Sequence, residues 1–516
     1  MSIEQRRQLA RQALAANDWA AVGRYAIEIS QLAPGEAEGP FLMGLSQKAL
    51  KNPERAASFF ERALELSSDR YDAAIELASQ MIMLNRYSKA RELLDHYAEQ
   101  LPDEAAYLDQ AGHAWFVMGK YDKAWPLFER AVKLKPNAEL FQAHKAACAV
   151  YLGKTDVARA IYTRILKRNP RNQRIHYELA QLERAKNDSH VKQMLKAVRK
   201  GKPSENIFLY YALGKEYEDL GQWKKSFEFY KRAGDAVMSV SQYDVREDVA
   251  IIDEIIATCD KRWLRDGPST IETEETPIFI VGLPRTGTTL TDRILSSHSL
   301  VQSAGESQLL QMVLRDGSRA GNVVGINSSQ IRAAASRDPA SIAAAYMEAV
   351  RHRLDGSRFF IEKLPENVLY LGFVAKAWPN AKIVHLRRHP MDACFAMYKQ
   401  SYFRFAYSLA DLGEYYLAYD RLSRHWRETL NSRMIELHYE DLVTDQETQT
   451  RRLLDGLGLD FEEACLYFDA NAAPVATASS VQVREKVHSR SVQKWKKFEA
   501  QLQPLRERLE EGGVQL

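Results

Sequence analysis

A chain of 516 residues is too long for one hydrophobic core and predicts two or three domains. With 46% apolar and 27% charged residues it has ordinary globular composition, and a formal net charge of +3 argues against a nucleic-acid-binding protein. Cys148, Cys259, Cys394 and Cys465 are far apart and match no zinc or redox spacing, so reduced thiols and a cytoplasmic location are expected.

The N-terminal stretch from Met1 to Asn17 alternates charge with alanine and has no apolar signal core, and no apolar run approaches the length of a membrane span. From there a repeat dominates. Prolines at 34, 102, 136, 170 and 203 follow a period of 34, with Ser68 in the empty slot and the last step one residue short. Leu50, Leu84, Met118, Leu152 and Leu220 keep the same period, with Lys186 in the gap. Six residues after each come Ala56, Ala90, Ala124, Ala158 and Ser226. A small side chain lets two antiparallel helices approach closely, and proline ends the second helix. Met118-Gly-Lys-Tyr-Asp-Lys-Ala124 and Leu152-Gly-Lys-Thr-Asp-Val-Ala158 resemble the inter-helix turn of a tetratricopeptide repeat. About seven units are expected from residue 3 to residue 240, the first and the fifth (around Lys186) degenerate, capped by a helix at Asp248–Trp263. Such arrays usually offer a groove to a peptide or protein, by analogy of fold, and a homo-oligomeric contact is equally open. The domain reading is therefore a repeat array at 1–263, a linker at 264–276 rich in turn formers and acids, and a second domain at 277–516.

The second domain opens on Pro277-Ile-Phe-Ile-Val-Gly-Leu-Pro-Arg-Thr-Gly-Thr-Thr289. An apolar strand, a glycine-rich turn and a helix N-terminus form a phosphate cradle, in which unpaired N–H groups and the positive dipole end face an anion. Gly282 and Gly287 have nucleotide-loop spacing, yet Thr288 and Thr289 stand where such a loop has Lys followed by Ser or Thr, so ATP or GTP fits poorly. The cation is Arg285, whose planar fork suits a phosphate or sulfonate. Further on come Gly305-Glu306, the strand Phe359–Glu362 ending in Lys363, and Arg388-His-Pro-Met-Asp392 after another strand. Then follow Tyr439-Glu-Asp-Leu442, and a basic C-terminal stretch with Ser479 and Lys494-Trp495. Strands near 277–282, 358–362, 382–387 and 434–438, alternating with helices, predict a mainly parallel sheet. Taken singly, the carboxylate and the lysines read as ordinary solvated charges.

Taken in order, these segments resemble the sulfotransferases that use 3′-phosphoadenosine 5′-phosphosulfate, the loop being closest in form to the tyrosylprotein branch and its bacterial relatives. The fold class this implies is a tetratricopeptide solenoid followed by an α/β P-loop-like domain. The resemblance implies Glu306 as catalytic base, with Arg285 and Lys363 opposing charge on the sulfonate and the leaving phosphate. It implies Arg285, Thr286, Gly287, Thr288 and Thr289 as the 5′-phosphosulfate cradle, and Arg388 as the 3′-phosphate ligand. Tyr439 becomes a cofactor wall, and Ser479 and Lys494 close over it. Ala396 departs from the family's usual serine, with Cys394 or Ser401 as substitutes. The expected reaction is sulfonate transfer to a hydroxyl or amine without a metal. The acceptor stays open among a protein tyrosine, a saccharide and a small phenol. The alternatives are a P-loop phosphotransferase or NTPase, and a repeat scaffold with a degenerate transferase half.

Overall fold

The computed structural model describes residues 2–266, 275–315, 326–471, 473 and 482–516. Ser479 and most of the expected linker lie outside the described residues. The chain forms two compact units, Met1–Ile161 and Tyr162–Leu516.

Seven helix pairs run in order among the described residues: α1 (Ile3–Ala15) with α2 (Trp19–Leu32), α3 (Glu38–Ala49) with α4 (Pro53–Leu66), α5 (Tyr71–Met83) with α6 (Tyr87–Tyr97), and α7 (Ala105–Val117) with α8 (Tyr121–Leu134). They continue with α9 (Glu139–Tyr151) and α10 (Thr155–Arg168), α11 (Gln173–Leu182) and α12 (Ser189–Ala197), and α13 (Ile207–Asp219) and α14 (Trp223–Met238). Ala56, Ala90, Ala124, Ala158 and Ser226 are all fully buried, as the close approach of paired helices requires. The first pair is regular, and Ser2 and Gln5 form a capping box at its start. The short pair is the sixth, of ten and nine residues, with Lys186 in its turn. One capping helix was expected over 248–263. The chain instead makes α15 (Val245–Thr258) and α16 (Lys261–Arg265), because Asp260 caps a new start by accepting from the Trp263 N–H at 2.7 Å.

In the second unit five parallel strands form one sheet in the order β2-β3-β1-β4-β5: β1 (Thr276–Gly282), β2 (Val301–Ser303), β3 (Phe359–Lys363), β4 (Lys382–Arg387) and β5 (Met434–His438). Four match the sequence expectation. The fifth, β2, has only three residues, too few for an alternating pattern to show. Ile278, Phe279, Ile280 and Val281 of the central strand are fully buried, which explains their unbroken apolar run. The connecting helices are α17 (Thr288–Leu295), α18 (Leu309–Leu314), α19 (Ser328–Ala335), α20 (Pro339–Val350), α21 (Leu371–Ala377), α22 (Pro390–Tyr398), α23 (Leu409–Leu430), α24 (Tyr439–Thr444), α25 (Gln446–Leu457) and α26 (Glu499–Glu511).

The last repeat helix belongs to the same packed body as this sheet. On α14, Phe227 stacks on Tyr398 (5.7 Å between centroids), Tyr230 meets Phe395 edge-on and Trp223 meets Phe498. Lys376 donates to the Trp263 carbonyl at 2.8 Å and lies over its ring. Among the described residues no helix is long and apolar enough to cross a membrane.

Candidate active site

The loop between β1 and α17 is shaped by its backbone. Gly282 has φ 148°, and a Cβ there would stand 2.5 Å from the Leu386 carbonyl oxygen of the neighbouring strand. Gly287 has φ 101°, and a Cβ would meet the Tyr439 ring at 2.8 Å. Arg285 adopts φ 67°, a costly conformation for a side-chain-bearing residue and one that clusters at functional sites. The N–H groups of Thr286, Gly287 and Thr288 meet no backbone acceptor among the described residues, as expected where a helix begins. Thr286 is buried and donates its hydroxyl to the Leu283 carbonyl at 2.6 Å, so its side chain shapes the loop.

Lys363 leaves the end of β3 and reaches this helix start. Its Nζ lies 3.4 Å from the Thr289 hydroxyl and forms an ion pair with Glu306. A second cation, besides Arg285 of the loop, thus reaches the helix start from the adjacent strand. Lys363 is 1% exposed and Glu306 32%, so the pair has an inner ammonium and an outer carboxylate that solvent can reach. Asp292, one turn into α17, is a buried carboxyl that burial pushes above its ordinary range, with Lys363 the strongest opposing charge.

Arg388 begins where β4 ends. It donates to the Arg285 carbonyl at 2.8 Å and to the Ser491 carbonyl at 2.6 Å, and its guanidinium lies 4.7 Å from the Tyr439 ring centre. Its Nε is buried with no hydrogen-bond partner among the described residues. Arg387 points elsewhere, toward Asp420 at 4.0 Å. Asp392 accepts from the N–H groups of Gln493 (2.6 Å) and Trp495 (2.9 Å), while the Trp495 ring stacks on His389. The segment from Ser491 to Trp495 is thus tied to the Arg388 motif through backbone groups. Lys494 within it is ion-paired with Glu218 of α13 rather than turned to the loop. Glu440 accepts from the His389 N–H at 2.9 Å, fixing the Tyr439 turn to the same motif.

Of the substitutes considered for Ala396, Cys394 is fully buried, and Ser401 lies beside Tyr177 of α11. Tyr402 is 47% exposed and within electrostatic range of Arg285 and Glu306, whereas Tyr415, Tyr416, Tyr419 and Trp426 are core residues. Sequence reasoning missed Tyr177 and Glu218, because nothing in a repeat pattern marks which unit will abut a distant loop.

It also missed the support under Glu306. Ser307 donates to Glu362 (2.9 Å to one oxygen, 3.0 Å to the other) and Tyr346 donates at 2.7 Å, while burial pushes the Glu362 carboxyl up to about 7. The unfolded carboxyl titrates near 4.3. Below that value the group is neutral in both states, and as pH rises through 7 the folded protein must ionise it in a dry site. Its contribution therefore favours folding at low pH and is lost through pH 7. Glu362→Gln leaves its amide oxygen to accept from Tyr346, while its NH2 donates to the Ser307 hydroxyl, which turns from donor to acceptor. It should melt higher than wild type at about pH 8.5, by roughly 1–3 kcal/mol, with the advantage gone below about pH 4.5. Thermal melts across pH check this, and a pH-independent difference contradicts it.

Residues 277–463 match the Sulfotransferase family model and residues 48–110 a tetratricopeptide repeat model. An uncharacterized protein of Aquifex aeolicus (strain VF5) is 31% identical over 313 residues, which are 58% of this chain and 41% of that protein. A putative protein-tyrosine sulfotransferase of Caenorhabditis briggsae is 24% identical over 228 residues, 42% of this chain and 80% of that one. Among solved structures, the sulfotransferase domain of the Synechococcus PCC 7002 olefin synthase is matched at 21% identity and TM-score 0.36, over 49% of this chain and 100% of that one. The chain thus carries a domain of the Sulfotransferase family, preceded by tetratricopeptide repeats.

Proposed function

We propose that this protein transfers the sulfonate of 3′-phosphoadenosine 5′-phosphosulfate to an acceptor hydroxyl or amine in the cytoplasm. The observation that carries the reading is the Glu306–Lys363 pair set against Thr289 at the start of α17, with the Arg388 fork bound to the other side of the same loop. Three cations, loop N–H groups and a buried Arg388 Nε, both without partners among the described residues, fit an anion with two phosphate positions. Arg285, Thr286, Gly287, Thr288 and Thr289 would hold the phosphosulfate, and Arg388 over Tyr439 the second phosphate. Ser479 and Lys494 would close the site.

Glu306 takes the acceptor proton as the acceptor oxygen–sulfur bond forms and the bond from sulfur to the 5′-phosphate oxygen breaks. Lys363 and Arg285 oppose the negative charge that gathers on the leaving bis-phosphate. An outer carboxylate beside an inner ammonium suits this division of labour, because the acceptor approaches from solvent. The repeats favour a protein or peptide acceptor over a saccharide or a free phenol.

Calorimetric titration of the full chain with adenosine 3′,5′-bisphosphate, free of magnesium, tests the reading. Micromolar binding with ATP much weaker is expected. Tighter, magnesium-dependent ATP binding would move the chain to phosphotransfer, and no nucleotide binding would favour a repeat scaffold.

A further inference from the structure

Glu218, near the end of α13, is a buried carboxylate with two ammonium partners, its side chain 6% exposed. Lys399, one residue past α22, donates to both of its oxygens at 2.9 and 3.1 Å, and Lys494 pairs with one of them. The Tyr230 hydroxyl adds a hydrogen bond at 3.2 Å. Burial alone would push this carboxyl up, but the two lysines overcome it and hold it near 2, while burial brings Lys399 down to about 8. The proposed reaction uses Lys494 of this cluster but neither Glu218 nor Lys399.

Its position gives it a use. Lys494 is carried on the segment whose backbone meets Arg388 and Asp392, and Lys399 feels the charge of Arg285. A buried carboxylate with a single partner cannot release it without being left uncompensated at a heavy desolvation cost. With two partners it can give up one. Lys494 is the one to go, being 34% exposed against 16% for Lys399, on a backbone already fixed by its neighbours.

We propose that Glu218 is a positioning residue of the donor site, a carboxylate that holds Lys494 back and yields it to the arriving bis-phosphate while keeping Lys399 as its own counter-ion. This rests on the sulfonate-donor reading above. It makes the last repeat pair part of the donor equilibrium: donor binding and the state of α13 are linked, each changing the other by the same factor.

The test is calorimetric titration of the full chain with adenosine 3′,5′-bisphosphate. Glu218→Gln combined with Lys399→Met removes the holding carboxylate and one ammonium together. The cluster keeps a net charge of one positive unit, and no bare buried ion is created. This variant should bind roughly tenfold more tightly than wild type, within the usual range of such couplings, and adding Lys494→Ala should erase the gain. A structural role alone would leave affinity unchanged or lower it. Wild-type binding with an equal or weaker constant in the variant overturns the proposal and leaves the donor reading standing; no binding by wild type overturns both. Should the double variant fail to fold, Glu218→Asp keeps the charge on an arm too short to span both lysines. It should shift affinity in the same direction, and an unchanged or weaker constant there counts against the proposal.

Discussion

Replacing Arg388 with alanine should cost roughly a hundredfold in affinity for adenosine 3′,5′-bisphosphate, about 3 kcal/mol. Three losses combine. On the proposed reading the ligand loses a fork whose Nε has no partner among the described residues, the Arg285 carbonyl loses the donor that fixes the loop, and the Ser491 carbonyl loses its donor too. Arg388→Lys should fall between, since an ammonium keeps the charge but cannot bridge both carbonyls and a ligand at once. Arg387→Ala is the control. Its side chain reaches toward Asp420 on α23, and affinity should stay within about twofold of wild type. Titration of the three variants beside a melting curve for each separates loss of binding from loss of fold. Equal affinity for wild type and Arg388→Ala would remove Arg388 from the donor site.

Glu306→Gln should have the opposite profile, with binding kept and turnover lost. Glutamine has nearly the same shape but cannot take a proton at neutral pH, so transfer of sulfonate to 4-nitrophenol as a probe acceptor should slow by about a thousandfold. Affinity for adenosine 3′,5′-bisphosphate should remain within about threefold of wild type, because Lys363 keeps its buried place beside Thr289 and is relieved of its carboxylate. Single-turnover measurements with labelled donor read the chemical step directly. Unchanged turnover would assign the proton to another group, and a parallel loss of binding would make Glu306 structural.

Much of this was legible in the sequence. The 34-residue period exposed the repeats because each small residue had to recur wherever two helices crossed, and the burial of Ala56 through Ser226 bears this out. The loop was legible because glycines at 282 and 287 answer to steric demands that no other residue meets. Arg387 and Arg388, consecutive residues at the end of a strand, point to opposite sides, Arg388 toward the loop and Arg387 toward Asp420. What could not be read is what only folding brings together. Ser307 and Glu362 are 55 residues apart, and Glu218 and Lys399 are separated by 181. A buried carboxylate on an amphipathic helix looks like a solvated one until its neighbours are known, and β2 is too short to announce itself.

The aromatic seam along α14 has a consequence for how such chains can diversify. A stacked helix pair can be gained or lost wherever its neighbours present the same apolar faces, so the early repeats are free to change in number. Trp223, Phe227 and Tyr230 are committed to Phe498, Tyr398 and Phe395, and Glu218 to two lysines beyond them. The last pair therefore forms one packed block with the sheet domain, and a cut between the two halves would be tolerated upstream of it but not at residue 264.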